Sequence, residues 1–172
     1  MVYLGSFYED IRNPRNTLEL FYHVCKRDSS IVVHVLGYGC EDILEEYRMK
    51  MGRNLVLHGR LSKESADDMV CSANVLLNIS NTCKTQTPSK LMEYIGTGKP
   101  IINMFCIDGD VGEKYLKDYP LHYSIDTRTE MNRDMIKNVS EFIIEKQNDV
   151  FTETEERYAK WSAEKFASFI KI

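Results

Sequence analysis

The sequence predicts an α/β fold with a doubly wound, mainly parallel sheet of the Rossmann-like type and additional helices at its C-terminal end. Short strand-like runs alternate with segments of helical periodicity from Val2 to Phe105. The strand runs are almost continuously apolar, as strands covered on both faces must be. Turn residues follow most of these runs, so each strand passes quickly into a helix.

Val2-Tyr3-Leu4 is the first strand and ends at Gly5; after a polar loop, Pro14 opens a helix through about Arg27, with Leu18, Phe21, Tyr22 and Cys25 at helical spacing. Ile31 to Leu36 is a β-branched run interrupted only by His34, which reads as a packed, hydrogen-bonded histidine in a buried strand. Gly37-Tyr38-Gly39 follows, then a helix from about Glu41 to Met51, the strand Leu55-Val56-Leu57, a helix over 63–73 and the strand Val75-Leu76-Leu77. A short helix from Pro88 and the strand Ile101 to Phe105 complete a βαβαβαβαβ order. Further on, residues 129–148 present Met131, Met135, Val139, Phe142 and Ile143 on one helical face. A last helix from about Thr152 to Ile170 carries Tyr158, Trp161, Phe166, Phe169 and Ile170, which either close this core or cover a neighbouring one. One domain over 1–172 is expected.

The segment Thr85 to Ile102 is the richest in chemistry. Thr87 suits an N-cap and Pro88 the first helical position, where a missing N–H costs nothing. Leu91, Met92 and Ile95 form an inward stripe, Gly98 fits the left-handed position after the helix, and Pro100 prevents its continuation. First-turn N–H groups at the positive end of the helix dipole favour a phosphate, and Lys90 adds a full charge. Glu93 lies three residues beyond Lys90, on roughly the same face and a turn deeper. A carboxylate beside a phosphate site needs hydroxyl donors, which points to a nucleotide or a sugar phosphate; an ordinary surface Lys–Glu pair is the alternative.

In a doubly wound sheet, ligands bind beyond the carboxyl ends of the strands, where the strand order reverses. Gly5-Ser6, Gly37-Tyr38-Gly39, Gly59-Arg60 and the loop from Ser80 to Lys90 all fall on that edge. Residues 37–42 read GYGCED, which lacks the third glycine of a dinucleotide fingerprint. The net charge of −4 implies no broad surface for nucleic acid, and with no apolar run of membrane-spanning length and no basic-then-apolar start, neither a transmembrane span nor a signal peptide is expected. Five cysteines without CxxC spacing (Cys25, Cys40, Cys71, Cys83 and Cys106) read as reduced, buried thiols in a cytoplasmic protein rather than a disulfide set or metal site. His23, His58 and His122 share no metal-ligand spacing, and Asp108 and Asp110 beside Gly109 and Gly112 read as a loop and helix start, with a metal role as the alternative.

The motifs VYLGSFYEDIRNP, VVHVLGYG, NLVLHGRLSKE, ANVLLNIS and above all TPSKLMEYIGTGKPII resemble the C-terminal, donor-binding half of GT-B glycosyltransferases of the group 1, or family 4, type. The resemblance covers the whole chain. It implies two Rossmann-like halves facing across a cleft, the C-terminal half holding a nucleotide-sugar and an N-terminal half, outside this chain, holding the acceptor. The chain starts directly at a core strand, so an excised domain that transfers little sugar alone is expected.

Carried over position by position, Glu93 matches the family's second glutamate, implied to bind the ribose, whereas Thr85 stands where the first glutamate usually contacts the donor sugar. Ser6 occupies the usual position of a diphosphate-binding arginine and Arg12 that of the lysine, so one cation is kept and one lost. Lys90 is the candidate replacement, with Pro88 and Ser89 completing the diphosphate site; Arg15 is a weaker one. Gly5, Gly37, Gly39, Arg60 and Leu61 fall near the base or sugar, with Gly59-Arg60-Leu61 similar to the segment that meets the base. Amide donors, a helix N-terminus, Arg12 and Lys90 suit the charge that grows on a departing nucleoside diphosphate, without metal or other cofactor. The resemblance implies a metal-independent, retaining hexosyl- or other glycosyltransferase of bacterial polysaccharide or glycolipid synthesis. Its acceptor would be a sugar or lipid-linked sugar, its location the cytoplasm, and the absent half could attach at the inner face of the membrane. No general base or nucleophile is evident in the chain. Two alternatives remain, a nucleotide-sugar epimerase and a non-catalytic nucleotide-sugar binding module in which Thr85 and Ser6 mark a degenerate site.

Overall fold

The computed structural model describes residues 1–83 and 89–152. Its strands are β1 (Val2–Leu4), β2 (Val33–Leu36), β3 (Leu55–Gly59), β4 (Leu76–Ile79), β5 (Ile101–Phe105) and β6 (His122–Asp126). They form one sheet in the order β3-β2-β1-β4-β5-β6, with every pair parallel. The helices are α1 (Arg15–Arg27), α2 (Glu41–Met51), α3 (Lys63–Ser72), α4 (Ser89–Gly96), α5 (Val111–Leu116) and α6 (Arg133–Lys146), with a single 3-10 turn at Gly52–Asn54.

Alternate strand residues feed two cores. Tyr3, Val33, Val35, Leu77, Ile102, Met104 and Ile125 pack with Leu18, Phe21 and Val24 of α1, Leu44 and Tyr47 of α2, and Val139 and Ile143 of α6. Val2, Leu36, Leu76 and Ile101 face the other way, onto Ala66 and Val70 of α3, Leu91, Tyr94 and Ile95 of α4, and Leu116 of α5. Burial on both faces is why the inner strands read as unbroken apolar runs.

The structure departs from the sequence reading at the margins. β6 forms beyond the expected βαβαβαβαβ order, whereas α5 begins after its N-cap Asp110, where a loop and helix start was expected. β6 pairs with β5 alone, and only Tyr123 and Ile125 of HYSID point to the α1/α6 core, so an edge strand gives no continuous run. β2 begins at Val33 because the Ile31 carbonyl accepts Asn54 Nδ2 (2.6 Å) instead of joining the ladder. α6 starts at Arg133 rather than at 129, since Asn132 is its N-cap and accepts from the Met135 N–H at 2.9 Å. Gly98 takes the expected positive φ of 70° after α4. The Thr87 cap, Pro88 and all but the first residue of the helix expected from Thr152 to Ile170 lie outside the described residues.

The cysteines are free, but the expected burial holds only for Cys25; Cys71 is exposed and the other three are half-buried. Cys71 lies away from Ala66 and Val70, the residues by which α3 meets the sheet. His34 is hydrogen-bonded as expected, its Nδ1 lying 2.9 Å from Nε2 of His58 on the neighbouring strand. Burial lowers the affinity of His34 for a second proton.

Candidate functional site

β1 is flanked by β2 on one side and β4 on the other, so the strand order reverses between β1 and β4. At the carboxyl ends of these two strands lies a cleft of about 350 Å³. Leu4 of β1, Arg12, Ser80, Lys90 of α4 and Asp110 are among the residues that line it.

Two loops are stitched together at its mouth. The chain after β1 doubles back in a short antiparallel bridge between Tyr8 and Arg12. Arg12 Nε donates to Asn81 Oδ1 at 2.8 Å, and Nη1 donates to the Ser6 carbonyl at 3.2 Å. Thr82 N–H donates to the Ile11 carbonyl at 2.9 Å. A guanidinium held this way keeps a fixed orientation at the cleft, which suits it to a planar, two-point grip on a phosphate. Ser6 contributes its carbonyl to Arg12, and a Cβ at Gly5 would come within 3.3 Å of Arg12 Nη1.

Ser89 and Lys90 line the cleft, and Lys90 Nζ lies 2.7 Å from Glu93 Oε2. Both side chains are about half exposed, at 44% and 55%, so their ion pair contributes little stability. Glu93 sits a turn further along α4 and does not itself line the cleft. Pro88 and Thr85 lie outside the described residues.

The remaining predicted positions are not gathered into the cleft. The N–H of Gly5 donates to the Leu36 carbonyl (3.0 Å) and that of Phe7 to the Tyr38 carbonyl (2.8 Å). A Cβ at Gly37 would lie 1.8 Å from the Gly5 carbonyl oxygen, and one at Gly39 would lie 2.2 Å from that of Phe7. These glycines let two loops touch backbone to backbone. Arg60 covers the Tyr38 ring at 4.8 Å and donates from Nη2 to its hydroxyl at 3.1 Å, while Leu61 packs onto the α3/α4 core. Arg15 pairs with Glu46 at 3.0 Å on the surface.

Beneath the cleft lies a polar feature that the motifs did not single out. Asn78, Asn103 and Ser124 are in register across β4, β5 and β6. Glu113 of α5 lies over this row and its Oε1 accepts from Asn103 Nδ2 and Ser124 Oγ, both at 2.6 Å. Asn78 Nδ2 donates to Asn103 Oδ1 at 2.6 Å, and Ser80 Oγ donates to Asp110 Oδ1 at 3.2 Å. Asp110 also caps α5 by accepting from the Glu113 N–H. Burial pushes the Asp110 carboxyl above its ordinary range, against the hydrogen bonds that favour its charge. The signal was a lone asparagine inside each of two otherwise apolar runs, VLLNI and IINMF.

Among the described residues no group of three or more His, Cys, Asp or Glu side chains is placed to hold a metal ion. No described helix is long and apolar enough to cross a membrane.

Neither a protein-family model nor a curated protein sequence matches the chain. Solved structures do. A substituted TarM from S. aureus, in complex with fondaparinux, alpha-GlcNAc-glycerol and UDP, aligns over 99% of this chain and 35% of its own, at 16% identity and a TM-score of 0.67. AviGT4, a glycosyltransferase involved in avilamycin A biosynthesis, aligns over 98% of this chain and 50% of its own, at 15% identity and a TM-score of 0.55. The catalytic domain of cholesterol-alpha-glucosyltransferase from Helicobacter pylori aligns over 96% and 97% of the two chains, at 13% identity and a TM-score of 0.50. The chain thus spans half or less of the TarM and AviGT4 chains. Its fold is the Rossmann-like fold found in GT-B glycosyltransferases, as the motif resemblance expects.

Proposed function

We propose that the chain is the donor-binding half of a glycosyltransferase that moves a sugar from a nucleoside diphosphate to an acceptor held by a second, N-terminal half. The observation that carries this reading is the meeting of Arg12 and Lys90, from opposite sides of the switch point, in one cleft. Two cations at that position suit a diphosphate, whose charge grows as the sugar–phosphate bond breaks. Glu93, one turn along α4, is the proposed partner of the ribose hydroxyls, and Arg60 and Leu61 the proposed neighbours of the base. The fold shared with glycosyltransferase structures supports this class over an epimerase.

The proposed reaction needs no metal, because Arg12, Lys90 and backbone amides carry the leaving-group charge, and it retains the anomeric configuration. Synthesis of a bacterial polysaccharide or glycolipid in the cytoplasm, with the absent half at the inner face of the membrane, is the proposed setting. Titrating UDP, GDP and ADP by calorimetry tests the reading. Wild type should bind one of them in the millimolar range or tighter, Arg12→Gln should weaken it about tenfold, and Glu93→Ala should weaken it about three- to tenfold. Absence of binding by wild type, or affinities unchanged in both variants, would refute the assignment.

A further inference from the structure

The polar row under the cleft fixes the orientation of an amide by elimination. Glu113 offers Oε1 only as an acceptor, so the atom of Asn103 that meets it at 2.6 Å must be the donating Nδ2. Asn103 Oδ1 is therefore the acceptor that faces Asn78, and Asn78 must meet it at 2.6 Å with its own Nδ2. Asn78 Oδ1 is left over. Among the described residues no donor reaches it, although the side chain is only 7% exposed and lines the cleft. A buried acceptor without a donor is costly and calls for a partner from outside the protein.

Its surroundings make the same demand. Ser80 is 8% exposed and gives its proton to Asp110, and the Asp110 carboxylate, 5% exposed, also lines the cleft. This wall offers acceptor oxygens. The same cleft also carries Arg12 and Lys90, which only donate. A ligand that satisfies both must combine an anionic group with hydroxyl or N–H donors.

We propose that Asn78, with Ser80 and Asp110, forms the subsite that reads the hydroxyl groups of the transferred sugar, and that Asn78 Oδ1 accepts one of them directly. The inference rests on the donor-binding reading above. It gives the sugar a set of contacts on the β4/α5 side of the cleft, independent of Thr85. Deoxygenation of the sugar at the contacted position would leave Asn78 Oδ1 unmet, so the subsite selects for hydroxylated hexoses over deoxy sugars.

The test compares UDP, GDP and ADP with UDP-glucose, GDP-mannose and ADP-glucose by calorimetry on the full chain, wild type, Asn78→Leu and Asp110→Asn. Leucine keeps the branched outline of asparagine without its acceptor, and asparagine at 110 keeps the cap of α5. Wild type should prefer the nucleotide-sugar over its bare diphosphate by about tenfold. In the variants that preference should fall about three- to tenfold, while affinity for the bare diphosphate stays within about twofold. A merely structural role would weaken both ligands alike, and that outcome would overturn the proposal. So would a preference retained in both variants, or one absent from wild type while the diphosphate still binds. If Asn78→Leu does not fold, as thermal unfolding would report, Asp110→Asn decides by the same ratio. Wild type that binds no diphosphate refutes the donor-binding reading itself, and this subsite with it.

Discussion

Single residues here serve two ends, and Arg12 is the clearest case. Its hydrogen bonds to Asn81 and Ser6 tie the loops after β4 and β1, and the same guanidinium lines the cleft. Acidic residues elsewhere respond to their surroundings in opposite senses. Hydrogen bonds from Arg128 hold the Asp126 carboxyl below its usual range. Its folded-state value is depressed, so it contributes stability above the ordinary carboxylate range that is lost as pH falls through the depressed value. Urea unfolding at a series of acidic pH values should therefore show a shallower loss of stability in Asp126→Asn than in wild type. Asp110 has the opposite sign, since burial raises its value and ionisation costs stability that protonation restores. Asp110→Asn should accordingly fold as stably as wild type at pH 7, and a large loss there would contradict the sign assigned to Asp110.

At the scale of elements, the loops after β1 and β2 behave as one piece because their backbones touch. A Cβ at Gly37 would meet the Gly5 carbonyl at 1.8 Å, and at Gly39, where φ is 96°, one would meet the Phe7 carbonyl at 2.2 Å. Gly37→Ala and Gly39→Ala should each destabilise by about 2 kcal/mol or more, since backbone rather than a flexible side chain would have to move. Chemical denaturation measures this directly. GYGCED is legible as a tight turn, but nothing in the motif says that its glycines face another loop rather than a ligand. The Gly98 stop was legible, because a helix that reaches Gly ahead of Lys-Pro has few continuations. β6 was not, because an edge strand buries one side and shows alternation rather than a run.

For the whole molecule, the cleft joins strands distant in sequence, so a ligand there should brace the entire fold. At a hundredfold excess over its Kd, a bound diphosphate would add about 2.7 kcal/mol to the free energy of unfolding. Wild type should show a higher Tm with the diphosphate than without it, and Arg12→Gln a smaller rise at equal concentration. An unchanged Tm in wild type at millimolar ligand would count against the cleft as the binding site.

The sequence alone settled the alternation of strands and helices, the two-sided burial of the inner strands and the cationic helix start at Lys90, because each follows from local periodicity or from the conformational limits of one residue. Only the tertiary structure decided that Asn78, Asn103 and Ser124 lie side by side, that Arg12 reaches Asn81, and that Gly37 and Gly39 meet a loop. Register between parallel strands is set by how the helices pack across them, and no stretch of the chain carries that information locally.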